Sequence, residues 1–263
     1  MMYQEHTKQT LIDELLAIRE LGWIPSKRNR ANSGAVVNTL EDLLGIQENN
    51  LPFPDAGEWE LKAQRKETSS LLTLFHMEPS PRILNIVPYL LEKYGWEHKE
   101  AGRRYPLSEK SFRQTLIYRQ KTNRGFYVDI DDVNRRIVVN FSFDDIEDEL
   151  EVWKTDVLKR SCTTFDSSHI PYWGFDDVFH KAELKLGNCF YVVADEKRTN
   201  GELYFKYSKI MMLSGFKTER FIEAIKDKHI LIDFDARTGH NHGTKFRIKQ
   251  SAIPLLYENV TIF

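Results

Sequence analysis

The chain has 263 residues, 41% hydrophobic and 29% charged, with a formal net charge of −2, which describes a soluble globular protein of one large domain or two packed lobes. No apolar run approaches the roughly 18 residues a membrane span needs, and the opening "MMYQEHTKQT" lacks the layout of a secretion signal. Two cysteines, Cys162 and Cys189, make neither a disulfide framework nor a metal-binding spacing, so a cytoplasmic protein with reduced thiols and no membrane partner is expected.

The periodicity predicts a first helix over 10–21, "TLIDELLAIREL", burying Leu11, Leu15 and Ile18 and ending at Gly22. A second, over 34–44, buries Val36, Val37, Leu40 and Leu44, with Gly45 at its C′ position. "PFPD" then leads into "EWELKA", whose alternation predicts a half-buried strand. The nearly all-apolar "SSLLTLF" (69–75) predicts a neighbouring strand buried on both faces. "ILNIVPYLLEKYG" is expected to be helical either side of Pro88, and residues 125–141 to form a β-hairpin turning near Asn134. "FDDVFHKAELKLG" (175–187) predicts an amphipathic helix feeding the strand "NCFYVVADEK", and "TERFIEAIKDK" (218–228) a helix feeding the strand "HILIDFDA". This alternation favours an α/β or α+β architecture.

Chemistry concentrates at "PDAGEWELK" (54–62). On a strand, Glu60 and Lys62 share one face while Trp59, Leu61 and Ala63 take the other, and Asp55 in the preceding turn can swing alongside Glu60. Two carboxylates and the Leu61 carbonyl suit a hard divalent cation such as Mg2+, which lowers the pKa of bound water and neutralises charge growing on phosphorus. Lys62 would orient or deprotonate the attacking water and stabilise the transition state. The same residues also read as an ordinary strand-face ion pair, worth about 0–1 kcal/mol when exposed. Glu41 borders the apolar face of the second helix. It either leans into the site or belongs to a helix N-cap with Asn38 as the cap.

The net charge is not that of a nonspecific nucleic-acid binder, but basic residues gather at 26–30, 62–66, 113–124 and 237–249, and acids at 143–151. In "RTGHNHGTKFRIK", Arg247 lies opposite the buried Phe246 and Ile248, where a guanidinium can reach O6 and N7 of a guanine. Arg237, His240 and His242 lie on a glycine-containing loop able to approach bases. The alternative for His240 and His242, a metal pair, lacks a cysteine or third histidine at suitable spacing. Lys27, Arg28 and Arg30, and the stretch 113–124, are expected to meet phosphates. Tyr127 and Trp173 read as core.

Together, "GAVVNTLEDLLGIQENNLPFPDAGEWELKAQ", "SSLLTLFHMEPSPR", "YWGFDDVFHKAELKLGNCFYVVADEK" and "GHNHGTKFRI" resemble the MvaI/BcnI family of type II restriction endonucleases, MutH-like members of the PD-(D/E)xK nucleases. The middle, about 82–170, agrees mainly in layout. The resemblance implies a mixed sheet flanked by helices, with one nuclease domain over 1–263 forming two lobes around a DNA cleft. The catalytic lobe would include about 34–80 and the recognition lobe about 230–250. It implies Asp55 and Glu60 as metal-binding acids, Lys62 as the catalytic lysine and Glu41 as a helix-borne glutamate completing the site. Mg2+ would be the cofactor, with Mn2+ able to substitute and Ca2+ binding without supporting cleavage. A monomer would cut the two strands of double-stranded DNA in turn at a CC-centre-GG site, beside a cognate methyltransferase that is not a subunit.

His76, at the end of "LTLFH", is implied to touch DNA and is expected to emerge near the catalytic strand. "LTLFH" resembles one branch of the family and "HGTKFRI" the other, which leaves the central base pair open. A MutH-like strand-nicking repair nuclease and a noncatalytic DNA-binding relic are the alternatives, the second opposed by the intact Asp55, Glu60 and Lys62.

Overall fold

In chain order the described residues form α1 (Lys8–Glu20), β1 (Ile24–Pro25), α2 (Ala35–Leu44), β2 (Glu60–Arg65), β3 (Leu72–His76), α3 (Ile86–Tyr94) and β4 (Trp96–Glu97). There follow β5 (Lys110–Leu116), β6 (Arg124–Asp131), β7 (Arg136–Ile146), α4 (Glu151–Lys159), β8 (Tyr172–Gly174), α5 (Phe175–Leu186), β9 (Asn188–Thr199) and β10 (Glu202–Phe216). The chain closes with α6 (Thr218–Lys226), β11 (Ile230–Arg237), β12 (His240–Asn241), β13 (Lys245–Ile248) and β14 (Tyr257–Ile262). This computed structural model describes residues 6–26, 34–46, 54–66, 69–160 and 162–263. Lys27, Arg28 and Arg30 lie outside them. No described helix is long and apolar enough to cross a membrane.

The chain divides into two compact units, the first comprising Met1–Leu72, Lys181–Arg220 and Lys249–Phe263. Its sheet runs β1-β10-β9-β2, with β14 also paired to β10. The expected α1 face is buried at Leu11, Leu15 and Ile18, and Thr7 caps the helix in a reciprocal arrangement with Thr10. α2 buries Val36, Leu40 and Leu44 as read from the periodicity, but Val37 is only partly covered and Thr39 is buried instead. Thr39 escapes the penalty of an unpaired buried hydroxyl by donating to the Ala35 carbonyl at 2.8 Å. Gly34 occupies the N-cap of α2, so Asn38 sits inside the helix and the capping explanation for Glu41 falls away. Gly45 closes the helix in the left-handed conformation, φ 69°.

β2 differs from the half-buried strand its alternation predicts. Glu60 is 2% exposed and Gln64 5%, beside Leu61 at 2% and Ala63 at 4%. One face carries Leu61 and Ala63 into the core shared with Leu40, Leu44 and Phe190. On the other, the neighbouring β9 sets Cys189 and Tyr191, both buried, opposite Glu60 and Lys62. Both faces of the strand are therefore packed, the polar one included, which alternation alone does not reveal.

The second unit comprises Thr73–His180 and Phe221–Ile248. Its larger sheet runs β3-β13-β11-β5-β4, with β12 hydrogen-bonded to β11, and its smaller one β6-β7-β8. β3 thus pairs with β13, not with the catalytic strand as expected from sequence, and buries only Leu74 and Phe75 while His76 is exposed. The β6–β7 hairpin forms as predicted, its turn held by Asp131, which accepts from the Asn134 main chain at 3.0 Å and side chain at 2.7 Å. α3 carries Pro88 in its first turn, where the missing N–H costs no helical hydrogen bond.

The stretch 113–124, expected to meet phosphates, is occupied by partners inside the unit. Arg113 pairs with Asp235 at 2.7 Å, Arg119 with Asp129 at 2.8 Å and Lys121 with Asp145 at 2.6 Å. Arg124 lies over the Trp96 ring at 3.9 Å and near Trp153 at 5.4 Å. Both indoles hold its guanidinium by cation–π contact.

Candidate active site

The site begins with a tight turn. Ala56 and Trp59 exchange main-chain hydrogen bonds, both 2.9 Å, across Gly57, which adopts φ +60°. This folds Asp55 back along β2, where its Oδ2 accepts from the Leu61 main-chain N–H at 3.2 Å. The Lys66 N–H donates to Ala194 at 2.7 Å, so even-numbered residues of this strand turn their main chain toward β9. Leu61, an odd position, turns its N–H to the other edge. A strand aims a residue's carbonyl to the same side as its N–H, which places the Leu61 carbonyl on the Asp55 side.

Glu60 and Lys62 lie on one face, as the two-residue spacing predicts, with the Lys62 Nζ in close contact with Glu60 Oε1. Burial pushes the Glu60 carboxyl above its usual range; Lys62 opposes this and Asp55 adds to it. Burial pulls Lys62 down, but the adjacent Glu60 and Asp55 outweigh it, so its pKa stands above that of an ordinary lysine. Lys62 is therefore an ammonium at neutral pH, a group that orients and stabilises.

Two further features escaped the sequence reading. Lys185, in the last turn of α5, places Nζ 3.4 Å from Glu60 Oε2, and both side chains are largely buried. The floor is dry: Cys189 lies in register with Glu60, burial pushes its thiol up to about 12, and it accepts a hydrogen bond from the buried Tyr257. No local pattern in the sequence marks Lys185, which reaches Glu60 because β2 pairs in parallel with β9. A helix that feeds β9 at Asn188 must end beside the start of β2.

Asp55, Glu60 and the Leu61 carbonyl form an all-oxygen donor set, which fits a hard divalent cation that keeps several waters. Among the described residues no third His, Cys, Asp or Glu joins the two carboxylates in a metal-holding cluster. Glu41 is carried by α2 in the same unit, is partly exposed, and is not gathered into such a cluster.

The recognition candidates fall in the second unit. Asp233, Asp235 and Arg237 of β11 occupy one face with Arg113 and Thr115 of β5 and Lys245 and Arg247 of β13. Arg247 donates to Asp233 at 3.2 Å, and Lys245 to Asp235 at 3.0 Å. Phe246 and Ile248 are fully buried opposite, as the alternation predicts. Arg237 donates to the buried Glu109 at 2.9 Å and lies over Tyr105.

Residues 237–240 are a β-hairpin rather than a loop, since β12 pairs with β11. His240 and His242 are both exposed, 3.3 Å apart at Nε2 and Nδ1. His76 belongs with this group: a Cβ at Gly243 would stand 3.1 Å from its Cδ2. Glu78, which the sequence reading passed over, anchors the segment by accepting from Asn241 Nδ2 at 3.2 Å, Thr244 N at 3.0 Å and Thr244 Oγ1 at 3.1 Å.

The family model for the MvaI/BcnI restriction endonuclease family matches residues 12–257. The chain belongs to the MvaI/BcnI restriction endonuclease family. Its activity class is that of a type II site-specific deoxyribonuclease, and members of this class use divalent metal ions. Among solved structures it is similar to the complex of restriction endonuclease MvaI with cognate DNA, with TM-score 0.77 and 22% identity over 98% of this chain and 99% of that one. It is also similar to MvaI without DNA, with TM-score 0.54 and 23% identity over 100% of this chain and 99% of that one. At those identities the likeness speaks for a shared restriction-endonuclease fold. No match was found among curated protein sequences.

Proposed function

We propose that this MvaI/BcnI-family chain is a Mg2+-dependent endonuclease that recognises a CC-centre-GG site in duplex DNA and, as a monomer, cuts one strand and then the other. The observation that carries the reading is the convergence of Asp55, Glu60 and Lys62, with the Leu61 carbonyl turned to the Asp55 side. Asp55, Glu60 and that carbonyl would hold the ion, and Glu41 would complete the site from α2. When bound, the ion supplies Lewis acidity and a more acidic water beside the phosphate.

This chain's own residues do the rest. Lys62, kept charged by its two carboxylates, orients the attacking water and balances charge on the phosphoryl oxygens. The buried Cys189–Tyr257 floor excludes solvent, which strengthens those electrostatic contacts. Arg247 and Arg237 are proposed to read guanine edges, with His240, His242 and His76 close to the same segment. Asp233 and Glu109 hold the two guanidinium groups in one orientation, which lowers the ordering cost of reading. Lys27, Arg28 and Arg30 would contact phosphates.

The test is digestion of a plasmid panel carrying every CC-centre-GG variant, with sequencing of the ends. Mg2+-dependent double-strand cuts confined to such sites, lost in Lys62→Ala, are expected. Cleavage without a divalent ion, or full activity in Lys62→Ala, overturns the mechanism. Nicks confined to one strand would favour a nicking repair enzyme.

A further inference from the structure

Glu60 has a cation on each oxygen: Lys62 at Oε1 in close contact, and Lys185 at Oε2 at 3.4 Å. The two lysines are not equivalent. Lys62 is two residues away on the same strand and also feels Asp55, so it is tied to the site by its backbone. Lys185 arrives on a long side chain from the last turn of α5 and makes the longer contact. The C-terminal carbonyls of a helix attract a cation, so its ammonium has a second favourable place close by.

From this geometry we infer that Lys185 is a placeholder cation, a positioning residue whose ammonium occupies the Glu60 Oε2 side until a divalent ion displaces it. The inference rests on the reading of Glu60 as a metal ligand. It follows from charge and space. Each Glu60 oxygen already faces an ammonium, Lys62 on one side and Lys185 on the other. In so buried a place two like cations cannot share one carboxylate oxygen without strong repulsion. Ion binding is then an exchange at Glu60, with Lys62 kept and Lys185 released. Until the exchange, Lys185 holds the nearly inaccessible carboxylate in one orientation.

The experiment is Mn2+ binding to the DNA-free protein, read as loss of the free-ion electron paramagnetic resonance signal, with circular dichroism confirming the fold of each variant. Glu60→Gln defines the site-specific component, which it is expected to abolish. Lys185→Met should bind Mn2+ at that component about tenfold or more tightly than the unmodified chain, because a competing charge is gone. Lys185→Gln should do the same, and serves if the methionine variant does not fold. Lys185→Arg, which keeps a cation, should not bind Mn2+ more tightly than the unmodified chain. Unchanged or weaker binding in both neutral variants, with the Glu60-dependent component intact in the unmodified chain, overturns the placeholder role alone. If Glu60→Gln leaves Mn2+ binding whole, the metal-ligand reading of Glu60 falls, and the inference with it.

Discussion

Replacing Lys62 by methionine should destabilise the metal-free protein in a pH-dependent way. Glu60 is 2% exposed, and Lys62 is its close partner. Removing one member of a buried ion pair typically costs about 3–5 kcal/mol, because the other charge is left without compensation. Lys185 remains 3.4 Å from Oε2, so the low end, about 3 kcal/mol, is expected near pH 8. The pH dependence follows from Glu60, whose folded-state pKa burial raises above its unfolded value. A group shifted that way contributes stability that is fully present below the unfolded pKa and is lost as pH rises through the folded one. Without Lys62 the folded value rises further, so the variant's deficit should be small at about pH 4.5 and grow toward neutrality. Urea unfolding in EDTA, followed by tryptophan fluorescence at both pH values, measures it. The double variant Glu60→Gln with Lys62→Met should recover more than half of the loss at about pH 8, since no buried carboxylate is left uncompensated by its strand partner. An equal deficit at both pH values, or a double variant no better than the single one, would refute the assignment of that energy to a buried charge.

Two further outcomes test other parts of the molecule. Arg247→Ala should weaken binding to a cognate duplex, measured in Ca2+, by about 1–3 kcal/mol while leaving affinity for unrelated DNA nearly unchanged; an equal loss on both would make Arg247 a phosphate contact or a structural partner of Asp233. Gly125→Ala should destabilise the β6–β7 hairpin, because φ is +76° and a Cβ would stand 2.1 Å from the Ser142 carbonyl oxygen. The left-handed backbone alone costs a non-glycine residue roughly 1–3 kcal/mol, whereas Gly174→Ala, with nothing within 4 Å of its Cβ, should be mild by the same urea titration.

Elements whose burial follows a simple period were legible in the sequence. α1, α2, α5 and α6, the β6–β7 hairpin and β11 all lie within a few residues of where periodicity places them. β10 was not read at all, although it spans Glu202–Phe216. A bulge between Tyr207 and Lys209 sets two exposed residues, Ser208 and Lys209, in succession and breaks its alternation. β3 was recognised as a strand but assigned to the wrong neighbour, because an apolar run reports burial and carries no information about which edge it pairs with. The pairing with β13 depends on contacts between residues about 170 positions apart.

The active site divides along the same physical line. Asp55, Glu60, Leu61 and Lys62 were legible because a tight turn and a two-residue repeat are local geometry. Lys185 and the Cys189–Tyr257 floor were not, because they reach Glu60 through the parallel pairing of β2 with β9, a contact with no local trace. Their contribution changes what the motif means. On an exposed strand face Glu60 and Lys62 would form a pair worth about 0–1 kcal/mol, open to solvent and indifferent to a passing ion. Buried, with a second lysine on the free oxygen, the same letters make a cluster in which each Glu60 oxygen faces an ammonium. A divalent cation that takes the Oε2 side must displace the ammonium there, and Lys185, carried by the end of α5 and not by the catalytic strand itself, is the one placed to leave.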